Sequence, residues 1–154
     1  MREATIVAFL KGDVTAEFLN NEALKSIEHH DAVASSIHVI DMDQPFTLSR
    51  TDIIKLCNAG IDETLSADAL NAIAFSLIAT DQFDWDGDDL ISEVLHDWSA
   101  PEINYPLTPS NLLLNKSWLL GIGTLPQRPP LPQQPRGGRL VSLRTKAPEE
   151  KAGH

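Results

Sequence analysis

Apolar positions recur along most of this chain with the three-to-four-residue period of amphipathic helices. Residues 3–11 and about 15–29 read as two helices, separated by Gly12 and Asp13. Ser49 and Asp52 have the spacing of a capping box at the start of a third helix, which carries Ile53, Ile54, Leu56 and Cys57. Ser66 is an N-cap candidate for a fourth, where Leu70, Ile73, Ala74, Leu77 and Ile78 form one inward face. A fifth runs from about 88 to 98 with Leu90, Ile91, Val94, Leu95 and Trp98 inward. Thr108 and Pro109 supply a cap and a first-position proline for a sixth, which Gly121 stops. Residues 36–42, with β-branched Ile37, Val39 and Ile40, form the one clearly extended segment. The expectation is a mainly α domain of about five or six helices over 1–123.

The pattern changes after Gly123. Pro126, Pro129, Pro132 and Pro135 recur every third residue, and Gly137 and Gly138 follow. Such spacing predicts a semi-stiff, disordered tail over 124–154, with one face of a polyproline II helix as a conceivable ligand. Residues 139–144 have the character of a short strand.

Charge sharpens this division. The chain has a formal net charge of −10 over 154 residues. Residues 1–123 hold 20 acids against 6 bases, and residues 124–154 hold 2 acids against 6 bases. No Lys or Arg occurs between Lys55 and Lys116, where 11 acids lie. This field disfavours nucleic acid and anionic lipid and favours cationic surfaces. The longest uncharged apolar stretch, 69–80, is shorter than the ~18 residues of a membrane span, and the first apolar run is too short for a secretory signal. Cys57, alone and inside an apolar run, reads as a reduced core thiol, so a cytoplasmic protein is expected.

Function is concentrated by this reading in 81–105, DQFDWDGDDLISEVLHDWSAPEINY, with eight acids and no Lys or Arg. Asp89, Glu93 and Asp97 follow one another at four-residue spacing, which predicts an acidic stripe opposite the apolar face. Phe83, Trp85, Trp98 and Tyr105 are interleaved with the acids. Aromatic anchors with surrounding carboxylates suit the capture of a basic protein, so Asp84, Trp85, Asp86, Asp89, Glu93, Asp97 and Tyr105 are the candidate partner-binding residues. The bland alternative is a solvated acidic face, with Asp84, Asp86 and Asp88 favoured near a helix N-terminus by its dipole.

A degenerate EF-hand loop is a second alternative: Asp84, Asp86, Gly87 and Glu93 fall at loop positions 3, 5, 6 and 12, but Gln82 replaces the first carboxylate and Asp89 the apolar position 8. A structural or assembly subunit tethered by the tail is a third. No GxSxG, HExxH or glycine-rich phosphate loop is present, and neighbours such as His96 and Asp97 do not face each other on a helix. Neither an enzyme nor a cofactor is expected.

The segment 46–108 resembles a group of short, uncharacterised bacterial proteins. The residues that carry the likeness are Phe46-Thr-Leu, Lys55-Leu-Cys-Asn-Ala59, Asp81 with Phe83 and Trp85, and His96-Asp-Trp-Ser with Pro101-Glu-Ile-Asn-Tyr-Pro-Leu-Thr108. In charge and helical architecture the chain is also similar to the immunity proteins that block nuclease bacteriocins. That similarity implies a non-enzymatic inhibitor acting on a basic partner.

Overall fold

The computed structural model describes residues 1–29, 35–101, 106–122 and 140–145. Among them are six helices, and the domain is mainly α. Four of the helix starts follow from local chemistry. Thr15 accepts a hydrogen bond from Phe18 N–H and starts α2 (Ala16–Ser26), which follows α1 (Glu3–Leu10). Ser49 and Asp52 close a reciprocal capping box on α3 (Arg50–Ile61). Ser66 caps α4 (Ala67–Ala79), and Thr108 caps α6 (Pro109–Leu119) with proline at its first turn. Each cap satisfies a backbone N–H that has no partner inside the helix. Gly121, at φ +76°, ends α6, with Ile122 N–H returning to the Ser117 carbonyl.

Helix α4 is the centre of the core. Ala69, Leu70, Ala72, Ile73, Ala74 and Leu77 are wholly buried, and α4 packs against α2, α3 and α5. Ile78, on the margin of that face, is only partly buried. Helix α3 packs instead on α6, and Gly60 lets them approach: a Cβ there would lie 2.6 Å from both Leu70 Cδ1 and Leu112 Cδ1.

Five strands accompany the helices among the described residues. The extended segment is β2 (Ser35–Ile40), with Ile37 and Val39 buried. It is flanked by β1 (Ile27–His29), antiparallel, and β5 (Leu140–Thr145), parallel, in the order β1-β2-β5. One expectation is corrected here. The second helix stops at Ser26 rather than 29, because Ile27, Glu28 and His29 pair with Ile37, Ser36 and Ser35. The short strand expected at 139–144 is present as β5, every residue of which pairs with β2. The proline-rich residues 123–139 lie outside the described residues.

A second, two-residue sheet joins β3 (Phe46–Thr47) to β4 (Phe83–Asp84) in parallel. It brings the Phe46 and Phe83 rings edge to face, with centroids 6.2 Å apart. This small sheet fixes the acidic loop against the start of α3. Helix α5 (Asp89–Ser99) follows.

Candidate functional site: the acidic loop and helix α5

The acidic segment begins by turning twice. Gln82 N–H donates to Thr80 Oγ1, and Phe46 N–H and Leu48 N–H donate to the carbonyls of Gln82 and Asp84. Strand alternation then buries Phe83 and exposes Asp84. Trp85 is half-buried against the core. Asp86 (φ 52°) and Gly87 (φ 70°) both lie in the left-handed region, and Asp88 N–H donates to the Trp85 carbonyl at 2.9 Å. An Asp-Gly pair suits the two left-handed positions of such a tight turn. The residues read as EF-hand positions 5 and 6 therefore serve a turn. Among the described residues, no group of three or more His, Cys, Asp or Glu is placed to hold a metal ion.

Asp88 is the pivot of the segment. Its Oδ1 accepts from Leu90 N–H (3.0 Å) and Ile91 N–H (3.4 Å), capping α5. Arg50 grips the same carboxylate with Nε (2.7 Å) and Nη2 (3.2 Å). The Arg50 hydrogen bond holds the Asp88 carboxyl below the usual carboxylate range; partial burial opposes this, and the two backbone N–H groups assist. Arg50 opens α3, where a positive charge is disfavoured by the helix dipole. One carboxylate thus serves two helix starts.

The expected stripe of Asp89, Glu93 and Asp97 is only partly formed. Asp89 is exposed and Glu93 intermediate, but Asp97 is 4 % exposed and engaged within the fold. Four residues span about 400° of an α-helix, so each step drifts about 40° around the axis. Two steps carry the row from the solvent side at Asp89 to the edge of the apolar face at Asp97. Trp98, next in sequence, is buried, and its Nε1–H donates to Asn115 Oδ1 of α6 at 3.0 Å. Asn71 Nδ2 donates to the Trp98 carbonyl at 2.9 Å, so Trp98 is a structural strut.

Asp84, Trp85, Asp86, Asp89 and Glu93 are thus brought together on a loop and the first two turns of α5. Asp97 is turned inward, and Tyr105 lies outside the described residues. No ion pair engages the side chains of Asp84, Asp86, Asp89 or Glu93 among the described residues.

Groups with catalytic potential are placed unfavourably. Cys57 is wholly buried, and burial pushes its thiol up to about 12, so the reactive thiolate is scarce at neutral pH. His96 Nδ1 lies 2.7 Å from the Ser92 carbonyl of its own helix, to which it donates. His38 Nε2 stands 3.4 Å from Glu28 Oε1 as an exposed cross-strand pair. Among the described residues no helix is long and apolar enough to cross a membrane.

A second surface was not anticipated from the sequence. On the outer side of α6, Leu113, Leu114, Leu120 and Ile122 are 57, 42, 53 and 59 % exposed. Together with Ser110, Lys116 and Ser117, the three leucines line a shallow groove of about 380 Å³. The signal was present: Leu112-Leu-Leu114 and Trp118-Leu-Leu120 hold more apolar residues than one stripe of a helix can bury. Comparison with protein families, with curated proteins and with solved structures finds no match for this chain.

Proposed function

We propose that this protein is a non-enzymatic binding factor that captures a basic protein through Asp84, Asp86, Asp89 and Glu93, with Trp85 as the apolar anchor. The observation that carries this reading is the cluster of carboxylates that no ion pair engages among the described residues, on one continuous segment in a region devoid of Lys and Arg from 56 to 115. Arg50 is committed to Asp88, so it does not offset them. Clustered charge speeds encounter with a cationic partner, and a half-buried tryptophan beside it supplies area for desolvated contact. Inhibition of a basic enzyme, in the manner of an immunity protein, is the specific form that charge and helical architecture favour. No cofactor is required, and a cytosolic setting suits a free, buried thiol.

The test is affinity capture with the wild-type chain and with the triple variant Asp84→Lys, Asp89→Lys and Glu93→Lys, followed by titration of the purified captured protein. The wild type should retain a basic protein, with affinity falling at least about tenfold between low and physiological salt. The variant should lose it while keeping its helical circular dichroism. Capture that survives charge reversal refutes the assignment.

A further inference from the structure

Helix α6 is apolar on both sides, yet among the described residues the fold covers only one. Leu112, Asn115, Trp118 and Leu119 face inward, while Leu113, Leu114 and Leu120 stand in solvent around a groove. We propose that this outer face is where two copies of the chain associate, α6 against α6 and antiparallel about a two-fold axis.

Charge selects the occupant. No acid lies between Glu102 and Glu149, and α6 holds a single base, Lys116, on the groove. A cationic partner finds no carboxylate on this helix and is drawn instead to the 84–93 surface. A second copy, itself carrying −10, meets least repulsion on a helix that holds no acid.

Shape selects the geometry. Large and small residues alternate along the exposed face as Ser110, Leu113 with Leu114, Ser117 and Leu120. An antiparallel pair centred near Asn115 sets Leu120 of each copy over Ser110 of the other, Leu113 over Ser117, and Leu114 beside the aliphatic stem of Lys116. The same patch therefore complements itself, as a two-fold interface requires.

Four exposed apolar residues make a smaller patch than the ~800 Å² per partner of a standard interface, so the expected association is weak and concentration-dependent. Asn115, which holds α5 through Trp98, lies on the inner face of α6, so pairing leaves the acidic surface open on both copies. On the reading of that surface given above, the dimer presents two capture sites to a basic partner.

Sedimentation equilibrium on the full chain tests the proposal between about 1 and about 500 µM, at about 20 and about 500 mM NaCl. The mass should rise from 16.9 kDa toward twice that value. The midpoint should fall about three- to tenfold at high salt, because screening removes like-charge repulsion. Leu113→Glu and Leu120→Glu, both at exposed positions, should raise the midpoint at least about tenfold with unchanged thermal melting. A second reading comes from Ser110→Cys with Leu120→Cys, which should oxidise to a covalent dimer while buried Cys57 stays out of the reaction. A 16.9 kDa particle at every concentration and both salts overturns the proposal, as does association that the glutamates leave unchanged. A wild-type chain that captures a basic protein but never dimerises refutes this inference alone, whereas a wild-type chain that dimerises but captures no basic protein refutes the functional reading alone.

Discussion

Substituting Asp88 separates two interactions that meet on one carboxylate. Its Oδ1 caps α5 through Leu90 and Ile91, and both oxygens accept from Arg50 of α3, 38 residues away. Losing an N-cap of this kind costs about 0.5–2 kcal/mol. The side chains are 24 and 45 % exposed, so solvent screening limits the ion pair to about 0.2–1 kcal/mol. Asp88→Ala should therefore cost about 1–2.5 kcal/mol, lowering Tm by about 3–8 °C for a domain of this size. Asp88→Asn keeps an equivalent cap acceptor and should cost no more than about 1 kcal/mol. Arg50→Ala should cost less again, since it also removes a cation from a helix N-terminus. Urea unfolding of both single variants and the double variant gives the coupling directly. Acid adds a further check: because the folded Asp88 carboxyl is held below its ordinary value, its stabilisation is complete above the unfolded carboxylate range. It is lost as pH falls through the folded value, so the gap between wild type and Asp88→Asn should close in acid. Zero coupling with Arg50, or an asparagine as costly as alanine, would refute this account of the joint.

Three further substitutions probe the elements around the acidic surface. Asn115→Ala leaves the buried Trp98 Nε1–H without its acceptor and should cost about 1–3 kcal/mol, read by chemical unfolding; a cost under about 0.5 kcal/mol rules out Trp98 as the strut between α5 and α6. Asp89→Lys should melt within about 0.5 kcal/mol of wild type, whereas Asp97→Lys should cost about 3 kcal/mol or more by forcing an ammonium into a buried site. Equal melting temperatures for those two variants refute the inward placement of Asp97.

What was legible in the sequence was what depends on near neighbours. Ser49, Ser66 and Thr108 act on N–H groups within three residues, so their chemistry is visible without a fold. The inward face of α4 was readable because it is wide and uninterrupted. Pairings across long separations were not. Ile27 leaves its helix for a partner ten residues on, and Phe46 meets Phe83 across 36 intervening residues, so neither strand has a local signal. The strand character of 139–144 could be read, but its partner β2 could not. Asp97 was misplaced by treating four-residue spacing as a straight row, when the row winds around the helix. The Arg50–Asp88 joint joins two residues whose sequence roles, first helical position and N-cap, gave no hint of each other.

On the two proposals made above, the distribution of bases predicts that two surfaces of one small domain respond to salt in opposite ways. Of the six bases in 1–123, Arg2 meets Glu22, Arg50 meets Asp88, and Lys55 caps α1 through the Leu10 carbonyl beside the Phe9 ring. Half of the domain's cations are therefore committed to joining its own elements. Asp84, Asp86, Asp89 and Glu93 have no Lys or Arg within 56–115 to offset them, which is what the proposed capture of a cation at low salt relies on. Outer α6 lacks acids, so any attraction there is apolar and is opposed by the charge carried elsewhere. Salt should weaken the proposed capture by screening attraction and strengthen the proposed pairing by screening repulsion. Charge reversal on α5 must then weaken capture of a basic protein and, by lowering net charge, favour pairing through α6. A single set of variants moving both equilibria in the same direction contradicts the division of labour between α5 and α6.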